Sequence, residues 1–452
     1  MKGSTSKESL VYHESYEQIS EGSEEDIGMS YGSTDYPFNA PQSQPPRREI
    51  KAYQGVGPEA KRSLRRLNRL DRIQSARSVV DAGFSETKKT NAPFSEVLYQ
   101  LIVGSYINLL LLALPLAYAS HHLEWSSKSI FIWNFTAMIP LAALLGAFTE
   151  ELAAHTNQTV GGLINATFGN AVEVVVAIQA LLAGEIRVVQ ASMIGSIFSN
   201  LLLVLGCCFF FGGLIHKEQK YQSMIATANM GLLALSSIAL VLPTPFAEYY
   251  DVDDEDVLAI SRISAMFLIF MYIQLLVFQL KTHADLIEDD GETETEMSFY
   301  AAMGGLVGVT AIITVLSEYL VKSIDGFCAE SGMSRTFVGL IILPIVGNAV
   351  EHATAVSVAM KDKMDLAMAV AIGSSVQISL FVAPLTVIVG WGANIPMSFN
   401  FPHFEVMLFI LSIVVVSILV SNSKSNWLEG SMLITTYVMV AVGFWFEKVK
   451  DY

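Results

Sequence analysis

Five residues, Gly169-Asn170-Ala171-Val172-Glu173, return unchanged as Gly347-Asn348-Ala349-Val350-Glu351, 178 positions later, and both copies lie inside long apolar stretches. The same offset joins Gly195-Ser196 to Gly373-Ser374. Upstream, Thr149-Glu150-Glu151-Leu152 is echoed by Ser317-Glu318-Tyr319-Leu320, with about ten more residues in the second connection. Self-similarity at a fixed offset is the mark of a duplicated unit, so the chain reads as two homologous halves.

The halves are built for a membrane. Of the 452 residues 52% are hydrophobic and 15% charged, and from about residue 97 the apolar residues come in blocks of roughly twenty, the length needed to cross about 30 Å of hydrocarbon. Hydropathy and turn signals predict eleven spans: 97–119, 129–148, 160–183, 188–212, 222–243, 257–280, 298–321, 336–360, 365–391, 404–421 and 428–446. The expected fold is an all-α membrane protein, one peripheral helix plus two five-helix repeats. Its parts are a tail over 1–95, the first span and first repeat over 97–280, a charged connection over 281–297 and the second repeat over 298–452.

An odd number of spans per repeat delivers the chain to the opposite face, so the second repeat starts upside down relative to the first. Inverted repeats are a signature of secondary transporters, which hold their substrate near the midplane where the repeats meet.

Each repeated motif places a glutamate in the middle of a span, where an ionised side chain costs on the order of 3 kcal/mol by insertion scales. The Gly-Asn pair one turn earlier loosens the helix, and Pro344, three residues before Gly347, removes a backbone hydrogen bond. A broken centre frees carbonyl oxygens beside Glu173, Glu351, Asn170 and Asn348, an oxygen-rich set that suits a hard divalent cation, with Ca²⁺ favoured over Mg²⁺. Two carboxylates match the charge of one such ion. When it leaves, burial and mutual repulsion favour proton uptake by the bare pair. Competition between one divalent ion and protons at the same two groups is antiport, because the empty charged pair is too costly to reorient.

Other polar residues are expected around that centre. Ser199 and Gln377 match across the repeat and complete the coordination, and Ser196 and Ser374 line the approach. Glu150 and Glu318, near the ends of the second and seventh spans, are read as cation-attracting vestibules. His352 stands about 100° around the helix from Glu351, which makes it a neighbour or relay partner of the acid rather than a ligand.

The charge outside the spans is sorted into blocks. The net charge of −16 belongs to loops and tails, which argues against nucleic-acid binding. Residues 1–46 carry eight acidic residues against two lysines and nothing periodic enough to build a core, so this stretch is expected to be disordered. No apolar region opens the chain, and the first span is expected to direct insertion. Residues 47–89 reverse the balance to twelve Lys/Arg against five Asp/Glu, with Leu64, Leu67 and Leu70 at helical spacing. That stretch reads as a linker that fixes topology, an amphipathic helix on an anionic leaflet, or a segment that docks on acidic loops. Loop Lys/Arg counts of six and seven leave orientation open; the basic run before the first span points to a cytoplasmic N-terminus and a lumenal C-terminus. Asp285, Glu288, Asp289, Asp290, Glu292, Glu294 and Glu296 form an acidic run facing one lysine, read as a solvated loop or as a cytoplasmic helix that gathers or senses Ca²⁺. With only three cysteines, two of them adjacent within a span, disulfide and thiolate-metal frameworks are excluded.

The motif-bearing segments, Gly169 to Glu173 within NATFGNAVEVVVAIQALLAGEIRVVQASMIGSIFSN and Gly347 to His352 within LPIVGNAVEHATAVSVAMKDKMDLAMAVAIGSSVQ, closely resemble the two signatures of the cation/proton exchangers, within the cation/Ca²⁺ exchanger superfamily. The resemblance implies the one-plus-five-plus-five fold, with the cation held between the third and eighth spans by the paired motif glutamates Glu173 and Glu351. It also implies Glu150 as the upstream acid and roughly residues 285–296 as an acidic regulatory helix. By the same likeness the chain resides in a vacuolar membrane and exchanges cytosolic Ca²⁺ for lumenal H⁺, with Mn²⁺ as a second substrate in some members and no resident cofactor. A sodium-driven Ca²⁺ exchanger of the same fold is the nearest alternative, disfavoured by His352 and Gln377 where further acidic or hydroxyl ligands are usual. A passive channel or an intramembrane hydrolase fits less well, the latter because no HExxH motif accompanies the acids.

Overall fold

A computed structural model describes residues 106–156, 158–250, 252–283 and 297–447. The tail over 1–95 with its basic segment 47–89, and the seven acids from Asp285 to Glu296, lie outside the described residues. The described chain is almost entirely helical, as expected. Eight single helices and two bent pairs are long and apolar enough to cross a membrane, giving ten spans among the described residues. The eleventh expected span, the first, is described only as a 3₁₀ stretch Tyr106–Leu112 running into α1, Ala113–His122.

The first repeat comprises α2 (Ser127–Ala154), the bent pair α3 (Gln158–Phe168) and α4 (Ala171–Leu182), α5 (Ile186–Ile215), α6 (Ser223–Tyr249) and α7 (Asp254–Thr282). The second repeats that order: α8 (Phe299–Ser331), the bent pair α9 (Arg335–Gly347) and α10 (Ala349–Met360), α11 (Met364–Gly392), α12 (His403–Val420) and α13 (Trp427–Trp445). Polar caps set several starts: Ser126 and Ser298 accept from the third amide of α2 and α8, and Asn426 with Glu429 forms a capping box on α13.

α8 runs ten residues beyond the expected end at 321. Hydropathy stops at Glu318 and Lys322, but these two pair one turn apart at 2.5 Å on the outward stripe that also carries Ile312 and Val315. Both charges are accommodated without ending the helix, which stops only at Gly332, φ +73°, a left-handed cap that suits glycine.

Bonds between loops sort them onto two faces. β1 (Gln219–Lys220) pairs antiparallel with β2 (Lys424–Ser425), Gln219 reaches Ala359 O and Asp362, and Asp365 accepts from Gln222 N, which gathers the α5–α6, α10–α11 and α12–α13 loops on one face, here the near face. On the far face Arg335 pairs with Glu185 and Asp325, His403 with Glu248, and Glu330 accepts from Ser127 N. Corresponding loops of the two repeats fall on opposite faces, as inversion requires.

α5 and α11 are the most enclosed spans, 78% and 61% of their central windows being buried against 28% for α7, α8 and α13. They form the centre with the buried α9, while α7, α8 and α13 expose apolar side chains on the outside. α13 is locked to α5 by glycines: a Cβ on Gly430 would overlap Phe210 N and Gly206 O, and one on Gly206 would press on Leu433. Small residues at such contacts let helix backbones approach without a hydrophobic drive between them. α2 and α8 make a second close pair, with Phe131 stacked on Phe327 and Gly305 giving way to the Phe148 ring.

Candidate cation site

Both motif sequences break their spans. α3 and α4 meet at 46° around Gly169-Asn170, and α9 and α10 at 58° around Asn348. At the first break the Gly169 amide bonds Asn165 O, and a Cβ there would stand 2.8 Å from that oxygen, so only glycine fits. In the second copy Pro344 opens the short segment after a π-helical stretch, Val338–Ile342. Both asparagines occupy N-cap positions without capping through their side chains, which leaves the amides available to the interior.

Glu173 and Glu351 consequently stand in the first turns of α4 and α10, where the unsatisfied N–H groups and the positive end of the helix dipole favour negative charge. Glu173 is 7% exposed and its Oε1 has no hydrogen-bond partner among the described residues. It lies on the break of the opposite repeat: a Cβ on Gly347 would come within 3.0 Å of that oxygen. Glu351, half-buried, accepts from Ser374 Oγ at 3.1 Å and lies within electrostatic range of Glu173. The two acids therefore meet across the repeats instead of facing lipid.

Around them the matched residues cross-connect. Asn170 Nδ2 donates to Gln377 Oε1 at 2.6 Å, and Ser199 Oγ meets His352 Nε2 at 3.2 Å. Asn348 is fully buried with neither side-chain polar atom partnered among the described residues. Ser196, with Ser192, lines a cavity of about 30 Å³ that also touches Glu173 and Gly347. Ser199 and the residue after Gln377 each open a π-helical stretch, Ser199–Val204 and Ile378–Val382, the local widening that recurs at functional sites in helices.

The two acids read as vestibules, Glu150 and Glu318, are both exposed and stand outside the contacts just described. Glu318 is exposed and paired with Lys322, on the stripe of α8 whose Ile312 and Val315 face Leu114, Pro115 and Tyr118 of α1. Glu150 is exposed in the last two turns of α2, while its neighbour Glu151 is buried and accepts from Met297 N at 2.7 Å, next to His155, whose Nε2 meets Met297 O. That grip was not foreseen; the double acid Glu150-Glu151 was its only sequence signal. Ser192 was also missed, although it sits one turn before Ser196.

The two repeats share a pattern and differ in pose. In the second, α9 packs on α5: a Cβ on Gly195 would overlap Leu340 O and one on Gly339 would meet Ala191. The equivalent contact in the first repeat would bring Gly162 of α3 to Gly373 of α11, but Gly373 has nothing within 4 Å and Gly162 abuts Leu280. On the near-face side α3 thus stands off α11, with Asn165, Thr167 and Gly169 exposed, whereas on the far-face side α9 is closed on α5.

Two carboxylates, amide and hydroxyl oxygens at two broken helices make a set of neutral and anionic oxygen donors for a hard cation. Among the described residues no three His, Cys, Asp or Glu side chains cluster at metal-holding distance, so the carboxylate charge at this centre is that of two acids.

The sodium/calcium exchanger protein family model matches residues 126–281 and again 301–446, once per repeat. The chain is 40% identical over 356 residues to a vacuolar calcium ion transporter of Schizosaccharomyces pombe, covering 76% of this chain and 86% of the relative. It is 43% identical to a Ca²⁺/H⁺ antiporter of Synechocystis over 75% of this chain and 96% of that one. Among solved structures it is similar to the Ca²⁺/H⁺ antiporter YfkE, with TM-score 0.66 at 33% identity, covering 78% of this chain and all of the other.

Proposed function

This chain belongs to the sodium/calcium exchanger protein family, and from that premise we propose that it is a secondary antiporter, exchanging Ca²⁺ for H⁺ across the membrane of an acidic organelle. The observation that carries the reading is the placement of Glu173 on the broken centre of the opposite repeat, at Gly347, with Glu351 beside it. One divalent ion neutralises the two carboxylates, and two protons do the same after it leaves. Either load yields a centre without net charge, whereas the bare pair in a low-dielectric interior resists reorientation. Transport then requires exchange, and a proton gradient drives cation movement uphill.

Asn170 and Asn348, the breaks at Gly169 and Gly347, and the hydroxyls of Ser196, Ser199 and Ser374 supply the neutral oxygens, with Gln377 orienting Asn170. The same donor set accepts Mn²⁺ as a second hard cation. The membrane is vacuolar, the near face is cytosolic and the far face lumenal, and the basic segment 47–89 keeps the N-terminus cytosolic. No resident cofactor enters this reading, and Ca²⁺ gathered by the acidic connection 281–297 is regulatory.

The test is Ca²⁺ uptake into proteoliposomes with an imposed inside-acid gradient and no sodium. Uptake that collapses with the gradient is expected. Uptake that needs sodium and ignores the pH difference, or flux that dissipates a Ca²⁺ gradient with no counter-ion, overturns it.

A further inference from the structure

The two faces carry different charges at the seams that have to open. For the centre to face the far compartment α9 must leave α5, where Gly195 lies under Leu340 O and Gly339 against Ala191. Arg335 is the first residue of α9, and Glu185 immediately precedes α5. Their side chains meet across that seam, Nη1 standing 3.6 Å from Glu185 Oε2. The other edge of the guanidinium is held by Asp325 of α8, whose Oδ1 accepts from Nε at 2.7 Å.

The two acids play different parts. Asp325 is joined to α9 through the short turn 332–334 of the same repeat, so it can stay with Arg335 when α9 moves, and it aims the fork. Glu185 belongs to the other repeat and is left behind. The Arg335 side chain is 51% exposed and that of Glu185 20%, so on parting both ions return to water. A pair of this exposure biases an equilibrium by about fivefold, not by orders of magnitude. That is the scale of a latch that cargo binding overrides.

In sequence the opposite seam has no equal. The offset of 178 places Lys363, the residue immediately before α11, at the position of Glu185, and Asn157 at that of Arg335. An ammonium and an amide form no ion pair with each other. The seam that carries the pair is the closed one, and the seam that lacks it is open.

We propose that the Arg335–Glu185 pair is a far-face latch that holds the exchanger open to the near compartment and so weakens its apparent affinity for cation arriving from the far one. The far-open pose is then the minor one, and apparent affinity scales with the fraction of protein competent to bind. Both are positioning residues, acting through α9 on the central acids.

The transport arm of the test rests on the antiport reading, and the two fail separately. In the full-length protein reconstituted in one orientation, Ser192→Cys places a thiol in the cavity that α9 covers. Cys328→Ser removes the far-face thiol, while Cys207 and Cys208 lie in the near-face half of α5. Labelling by an uncharged, membrane-impermeant thiol reagent from the far face is expected to quicken about fivefold in Glu185→Gln and in Arg335→Gln, with no further gain in the double variant. Either single variant supplies the readout should the other fail to insert. Glu330→Gln removes an acid of the same face outside the seam and is expected to leave the rate unchanged. In tracer Ca²⁺/Ca²⁺ exchange at symmetric pH, Glu185→Gln should lower the half-saturating Ca²⁺ on the far side about fivefold and not lower it on the near side. Unchanged labelling in the inserted latch variants, equal quickening in Glu330→Gln, or a fall in half-saturating Ca²⁺ on both sides overturns the proposal. Labelling that quickens as expected in a protein whose wild type moves no Ca²⁺ upholds the latch and overturns the antiport reading instead.

Discussion

The Glu173 carboxylate lies against Gly347, the residue at which the opposite repeat breaks, so closely that a single added carbon would stand 3.0 Å from Oε1. The glycine of one motif makes room for the acid of the other. Gly347→Ala should therefore push the carboxylate off its position by a few tenths of an ångström while the helix tolerates alanine. Overpacking of this size costs roughly 1–3 kcal/mol, so the half-saturating Ca²⁺ concentration for uptake should rise about tenfold or more with the protein still inserted. Initial uptake rates against Ca²⁺ concentration measure it.

Glu351→Gln should abolish Ca²⁺/H⁺ exchange. The amide keeps the shape and can still accept from Ser374 Oγ, but it cannot alternate between an anionic and a protonated form. Membrane insertion and detergent stability should match wild type, which separates a transport defect from misfolding. Normal proton-coupled uptake by this variant would contradict the mechanism.

Arg187 at the far end of α5 pairs with Glu405 of α12, whose side chain is fully buried, and Gln190 one turn on donates to the carbonyls of Ser398 and Asn400. Removing one partner strands a buried charge, so Arg187→Met or Glu405→Leu alone should cost about 3–5 kcal/mol, while the double replacement should recover most of it. Thermal melts in detergent of the two single variants and the double test the non-additivity.

On the far face, burial and the nearby Asp325 raise the Glu185 carboxyl above its ordinary value, against the opposing pull of Arg335. A carboxyl that binds its proton more tightly when folded stabilises the fold at low pH and loses that contribution as pH climbs from the ordinary carboxylate range through the raised value. Glu185→Gln should flatten this decline, seen as a smaller drop in melting temperature between about pH 4.5 and neutral.

The spans and both broken centres were legible because they rest on strong local signals: hydropathic blocks, two glycine-asparagine pairs and a proline. Helix ends were less so. α8 outruns its apolar segment because Glu318 and Lys322 satisfy each other, and the charge that ends a hydropathy window does not end a helix. Glu173 and Glu351 could be paired from the repeat alone, since symmetry brings equivalent residues to one axis. Glu151 could not, because its role depends on where Met297 falls against the end of α2, and no periodicity within a single span encodes that.

Gly195 sealed under Leu340 and Gly373 left open are the same position in two copies of one unit. Each copy is thereby a template for the shape its sibling takes after turnover: α3 swung onto α11 and α9 lifted from α5 would bury Gly373, uncover Gly195 and present Glu173 and Glu351 to the other compartment.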